Sequence, residues 1–361
     1  MLSATLTISS LLSSRNLTSF LPSSNIHPIY TSMGLKKLHN LVGAIKDTTS
    51  ITKVALTSPS SAAASAHLAV LRATSHLPTT SPPSPHHLSA LLSFGRSSRL
   101  TASSLVSALS SRLFSTQDPS VALKSLLCLH LLLSRGSFIL KDQIFPALLR
   151  HPASGRNPLA LSSFRSAISY SLSSWVRWFA RVLELMLVTP YSDDPDQLTV
   201  LQNQDVISEL ESLVAVVEEI SRVPEGPAST VGNQLKLEVA RQAEEDWVQV
   251  SAGITVRVRE MKERVGLLSY SDSVELLCVL KRIEEVAASQ PSDWEWMAFD
   301  ERLLSEVGKL KGKVEESVVR KEEQERRVRR EKISESARLV NPVRSEMVRT
   351  VRFGSTRWVA T

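Results

Sequence analysis

The sequence predicts an all-α fold built as a stack of antiparallel helices. Apolar residues recur at spacings of three and four along most of the chain, short turns rich in Pro, Gly and Ser separate these stretches, and no run alternates with the two-residue period of a strand. Leu, Ala and Ser dominate, and 12 Gly with few β-branched runs argue against an all-β fold. At 361 residues the chain is long enough to bury a core of ordinary size. It shows no fixed-period repeat, which excludes a consensus repeat array.

The elements follow in order. Gly34 to Lys46 places Leu35, Leu38, Val42 and Ile45 on one face, with Lys36, Lys37 and Lys46 off it, as an amphipathic helix. Ser58 to Ala66 reads as a small-residue linker, Leu68 to His76 as a helix, and Pro78 to Pro85 as a loop. Thr101 caps a helix with Leu105, Leu109 and Leu113 in register. Asp118-Pro119 is a stronger start signal, Asp as N-cap and Pro at the first helical position, for a helix that stops at Gly136. From about Ala160 a long helix carries Leu161, Phe164, Ile168, Leu172, Val176, Phe179, Leu183 and Met186. A polar connection from Thr189 to Gln197 precedes helices over Asp205–Arg222, Asn233–Val265 and Ser273–Ala288, the last opened by Asp272 and Glu275 in capping-box spacing. Phe299 to about Ser336 is a highly charged helix.

Charge is unevenly spread. Residues 1–190 hold 17 Lys and Arg against 4 Asp and Glu, and the remainder holds 25 against 32. A basic front half suits an anionic partner, either a phosphoinositide membrane or nucleic acid. Cys128 and Cys278, the only two cysteines, each sit in an apolar helical pattern and read as buried thiols in a reducing cytosol. No stretch is apolar enough to span a bilayer, so membrane contact is peripheral. Residues 1–32 hold 13 Ser and Thr and a single charged residue, Arg15, a composition that mimics a transit peptide. The alternative is a natural start at Met33.

Three segments carry a family resemblance: Met33-Gly34-Leu35-Lys36-Lys37-Leu38, Arg72-Ala73-Thr74-Ser75-His76 followed by His86-His87-Leu88, and the Asp118–Gly136 helix. Together with Ser173 to Phe179 they resemble the ANTH domain of clathrin assembly proteins, in particular its short plant members, over roughly residues 33–286. The resemblance implies a superhelical, solenoid-like ANTH/ENTH-type stack without catalytic machinery or cofactor, which takes phosphoinositide headgroups at its surface. It also implies clathrin or coat components and vesicle SNAREs as partners, and a cytoplasmic, peripheral location on coated pits and vesicles at the plasma membrane or Golgi. The domain plan that follows is an extension over 1–32, an ANTH-type domain over 33–290, a charged helix over 291–336 and a basic, disordered tail over 337–361.

By that resemblance Arg72, His76 and His87 match the family's headgroup positions, and Lys36, Lys37 and Lys46 add cations nearby. Phosphate offers several anionic acceptors, so cationic donors from neighbouring helices must converge on it. The chain departs from the pattern where three lysines are expected: Ser84, Pro85 and His86 stand there. Losing cations at about 1 kcal/mol of surface attraction each weakens headgroup binding. A pH-tuned site using His76, His86 and His87 is a further possibility. Lys124 and His130 lie on an apolar helix and are read as core residues.

The carboxy-terminal third contains no Asn-Pro-Phe, Asp-Pro-Phe or Asp-Leu-Leu coat-binding motif. Its Arg326-Arg327-Val328-Arg329-Arg330 run lies among glutamates, as in a solvated helix. No metal-ligand spacing, phosphate loop or nucleophile elbow is present. Two rival readings remain: a helical protein-interaction scaffold that has lost lipid binding, and an organelle-targeted helical RNA-binding protein.

Overall fold

In the computed structural model, which describes residues 28–57, 61–96, 98–149, 157–189, 195–289 and 293–339, every regular element is a helix. The α-helices are α1 Pro28–Thr57, α2 Ala62–Ala73, α3 Pro85–Ser93, α4 Arg99–Ser115, α5 Pro119–Arg135, α6 Phe138–Leu149, α7 Tyr170–Val188, α8 Pro195–Val200, α9 Asn203–Ser221, α10 Gln234–Arg264, α11 Tyr270–Ser289 and α12 Glu301–Leu339. The chain divides into two compact units, Met1–Arg181 with Ala228–Val239, and Val182–Pro227 with Ala240–Thr361.

In the first unit α2 packs on α1, α3 and α4, while α4 also packs on α5 and α6. The Asp118-Pro119 signal works as its chemistry predicts: the Asp118 carboxylate accepts from the Ser120 and Val121 N–H groups at 2.8 and 3.1 Å. From Pro119 to His130 α5 is buried on every side, which matches a sequence that is apolar apart from Ser120, Lys124, Ser125 and His130. His130 is buried against Phe179, and Cys128 is buried beside it in sequence.

In the second unit α11 packs on α9 and α12. Val206, Leu210, Leu213, Val217 and Ile220 of α9 meet a core that includes Leu276, Leu280 and Ile283 of α11 and Leu303, Val307, Leu310 and Val314 of α12. Beyond Val314, none of the described α12 side chains is buried, so the charged half is a solvated helix, as its alternating Glu and Arg predict.

Several boundaries differ from the sequence expectation, each for a local reason. Within the linker expected over Ser58–Ala66, α2 already begins at Ala62, because the Ser61 hydroxyl accepts from the Ala64 N–H at 3.0 Å; residues 58–60 lie outside the described residues. α2 then ends at Ala73, which leaves His76 in the loop. Thr101 is not the N-cap of α4 but its third residue: Ser98 is the cap, and the two side chains form a reciprocal box. Ser98→Ala is expected to cost about 1 kcal/mol in a denaturant melt. α7 begins at Tyr170, not Ala160, with Ser169 Oγ accepting from the Leu172 N–H at 3.2 Å. The cap of α11 is Ser269, paired with Asp272, rather than Asp272 paired with Glu275. Cys278 is exposed, not buried. α1 is longer than expected, and its apolar stripe is not covered: Leu38, Leu41 and Ile45 are 56, 59 and 51 % exposed. α6, which carries Pro146 inside it, is an element the sequence reading did not assign. Residues 1–27 and 340–361, which hold most of the Ser-rich extension and basic tail, lie outside the described residues.

Candidate functional site

The loop between α2 and α3 carries His76 and joins the helices that hold Arg72 and His87, and three contacts hold it. The buried Lys124 ammonium of α5 donates to the Ser75 and Pro78 carbonyls at 2.9 and 2.7 Å. The Leu235 N–H, at the start of α10, donates to the Thr80 carbonyl at 2.7 Å. Arg112 of α4 donates from Nη2 to the Thr74 carbonyl at 3.0 Å and from Nε to the Thr74 hydroxyl at 3.3 Å. Lys124 is therefore a loop anchor, a role its apolar surroundings did not reveal.

The same Arg112 guanidinium reaches Asp47 Oδ1 of α1 at 3.3 Å. Asp47 also takes the backbone N–H of His76 on Oδ2 and the His76 ring Nδ1 on Oδ1, both at 2.7 Å. Burial alone would raise the Asp47 pKa, but the two His76 hydrogen bonds and the charges of His76 and Arg112 outweigh it and hold the carboxyl below its ordinary 3.8. An ionised Asp47 only accepts, so the Nδ1–H of His76 donates. Gly43, one turn before Asp47, makes the approach possible: a Cβ there would stand 2.8 Å from the His76 Cβ. Gly43→Ala is expected to push α1 off the loop and lower stability by about 1–3 kcal/mol, read as an earlier thermal midpoint.

The expected cations fall into two groups. Arg72 is exposed at the end of α2, and His86 and His87 lie on the first turn of α3 with ring centroids 5.7 Å apart. The His87 pKa is pushed down by partial burial and then by the like charges of His86 and Arg72, which places these three groups close together. Lys46 and His76 belong elsewhere. They line a cleft of about 480 Å³ together with Arg112, Arg165 and the Thr116–Asp118 segment that enters α5. Sequence reasoning missed Arg112 and Arg165, which lie far from α1 in the chain and carry no local motif. The side chains of Lys36 and Lys37 lie outside the described residues. Among the described residues no group of three or more His, Cys, Asp and Glu is arranged to hold a metal ion, and no helix is long and apolar enough to cross a membrane.

Lys124 supplies a signed pH dependence. Burial pushes its pKa down from 10.5 to about 8, with Asp118, Asp47 and Cys128 opposing. Between those values the unfolded chain binds more protons than the folded one, so stability rises with pH across that window. Lys124→Met is expected to flatten that rise in urea melts taken from pH 7 to 10.

The sequence profile of the ANTH domain matches residues 66–288, which include the α2–α3 loop and all of α5. The chain belongs to the ANTH-domain family. This ANTH protein is 40 % identical over 267 residues to "Putative clathrin assembly protein At4g40080" of Arabidopsis thaliana, covering 68 % of this chain and 71 % of that one. It is 30 % identical over 252 residues to "Putative clathrin assembly protein At5g10410" of the same plant, covering 64 % of this chain and 70 % of that one. A third similar protein, "Putative clathrin assembly protein At4g02650", is 34 % identical over 155 residues, which is 42 % of this chain and 24 % of that one. The expected all-α ANTH/ENTH-like class therefore stands on both the helices and the family match.

Proposed function

We propose that this ANTH protein is a peripheral adaptor that attaches to phosphoinositide-bearing membrane and promotes clathrin coat assembly during endocytosis. The observation that carries the membrane reading is the exposed Arg72 beside the paired His86 and His87 rings, a group that falls within the family-matched residues. The family resemblance adds Lys36 and Lys37 to this proposed cationic surface, while Lys46 and His76, the other two expected cations, line the separate cleft. Leu38, Leu41 and Ile45 add an uncovered apolar stripe on α1, the kind of face that beds into a lipid interface beside cationic side chains. Coat components are proposed as partners from the names of the relatives, and a vesicle SNARE from the family resemblance. The place of action is then the cytoplasmic face of coated pits and vesicles, at the plasma membrane or Golgi.

Co-sedimentation with vesicles tests the membrane reading. The protein is expected to bind vesicles carrying phosphatidylinositol bisphosphate in preference to charge-matched phosphatidylserine vesicles. Arg72→Glu is expected to weaken that binding about tenfold or more, because it replaces an attraction by a repulsion. Equal binding to both vesicles would reduce the interaction to bulk charge. The second reading is a protein-only helical scaffold, favoured by Ser84, Pro85 and His86 where the family pattern has lysines. It predicts no sedimentation with either vesicle.

A further inference from the structure

We propose that the cleft lined by Lys46, His76, Arg112 and Arg165 is a receptor for a single phosphorylated inositol headgroup, with Lys46 and Arg165 as its binding cations. The inference rests on the phosphoinositide reading above and places recognition of a single headgroup in the cleft, leaving attachment to a membrane surface with many headgroups to the Arg72 cluster. It answers a difficulty that cluster leaves open: its expected lysines are absent, and the remaining donors are one arginine and two histidines.

The cleft has the size of a small-ligand site, about 480 Å³ within the usual range of about 300–1,000 Å³. The titratable side chains that line it are Lys46, His76, Arg112, Asp118 and Arg165, with Asp47 holding His76 and Arg112. Both carboxylates are already engaged. Asp47 accepts from His76 and Arg112, and Asp118 accepts from the first N–H groups of α5. Lys46 and Arg165 are different: both are exposed, and neither side chain makes a hydrogen bond or ion pair among the described residues.

Two unengaged cations from separate chain segments that line one concavity repel each other until an anion arrives. Arg165 can grip a phosphate with two parallel N–H donors, and Lys46 adds a compact point charge. Gln117, also in the lining, is a neutral donor and acceptor of the kind that ring hydroxyls need. Arg112 and His76 serve as positioning residues, because their hydrogen bonds to Asp47 and Thr74 fix the cleft wall. Arg72 and His87 do not line the cleft. A concave site can hold one headgroup free in solution, whereas a surface cluster gains its strength when a membrane presents many headgroups at once.

That difference decides the test. Inositol trisphosphate is titrated calorimetrically into the full chain, and vesicles with phosphatidylinositol bisphosphate or phosphatidylserine are sedimented in parallel. The variants are Lys46→Glu with Arg165→Glu, and Arg72→Glu with His87→Glu. Melting curves followed by circular dichroism check that each variant is folded. The cleft variant is expected to lose at least about tenfold in affinity for the soluble headgroup, and the Arg72 variant to lose vesicle binding while keeping soluble binding within about twofold.

If the Arg72 variant loses the soluble headgroup and the cleft variant keeps it, the cleft assignment is overturned while the lipid reading stands. Selective vesicle binding with no soluble binding has the same meaning. Soluble binding through the cleft without vesicle binding supports the receptor and removes the membrane. No preference for phosphoinositide in either assay overturns both.

Discussion

Asp47→Ala is expected to lower the thermal midpoint of the first unit by roughly 6–12 °C, equivalent to a loss of about 3 kcal/mol for a domain of this size. One carboxylate here serves three donors from two other parts of the chain: the His76 N–H, the His76 ring and the Arg112 guanidinium. The side chains of Asp47, His76 and Arg112 are 13, 9 and 16 % exposed, so removing the acceptor takes a partner from all three donors in a poorly hydrated place. The loss exceeds that of an exposed ion pair such as Arg326 with Glu322, which contributes about 0–1 kcal/mol.

The loss also has a direction in the structure. Gly43 is the one residue of α1 that is buried among those whose side chains are described, so Asp47 and Gly43 together are its main hold on the loop. Limited proteolysis is expected to cut the Asp47→Ala variant first within residues 38–57. Asp47→Asn should recover part of the loss, since an amide oxygen still accepts one hydrogen bond but brings no charge. The wild-type protein should lose this contribution as pH falls through the lowered Asp47 pKa, below about 4, whereas the Ala variant should show no such step. A wild-type melt that is flat from pH 5 to 3 would contradict the account.

What the sequence reveals about this protein depends on how far apart the partners lie. Asp118-Pro119 and the stop at Gly136 were readable because a cap and its helix are neighbours. The stripes of α9, α10 and α11 were readable because one buried face repeats along a single helix. Errors came where two local signals competed. The spacing from Leu161 to Ile168 imitates a helix, but the Ser166 N–H donates to the Ser173 hydroxyl and Arg177 donates to the Phe164 carbonyl at 2.8 Å, so the segment folds back as turns before α7.

The cleft was only half readable: Lys46 and His76 were marked, but Arg112 lies 65 residues from Asp47 and no motif joins them. One signal could have pointed to it. Residues 1–190 contain only four acids, and an acid so outnumbered on an amphipathic helix has to find cations. Family resemblance marked His76 for its sequence neighbours, whereas its ring is spent on Asp47.

In the second unit, Arg257→Ala is expected to cost about 3–5 kcal/mol, the largest effect of any single truncation proposed for this chain. The Arg257 side chain is 1 % exposed on α10, and its Nε and Nη2 both donate to Glu209 Oε2 of α9 at 3.0 and 2.7 Å. Its Nη1 donates to the Gly253 carbonyl at 3.2 Å. Truncation removes a large buried side chain and leaves Glu209, 14 % exposed, without its counter-charge. Arg257→Met keeps most of the volume and should be milder on its own. Combined with Glu209→Leu it should recover much of the stability, because a packed apolar pair avoids desolvating two charges. That recovery separates the two causes. A double variant as unstable as Arg257→Ala would mean that the hydrogen bonds to Glu209 and Gly253, not the stranded carboxylate, hold α9 to α10. Since the residues proposed to bind phosphate belong to the first unit, headgroup affinity per folded molecule should stay unchanged in the Arg257 variants. A fall in that affinity at full foldedness would show the two units to be energetically coupled, with a coupling free energy given directly by the ratio of affinities.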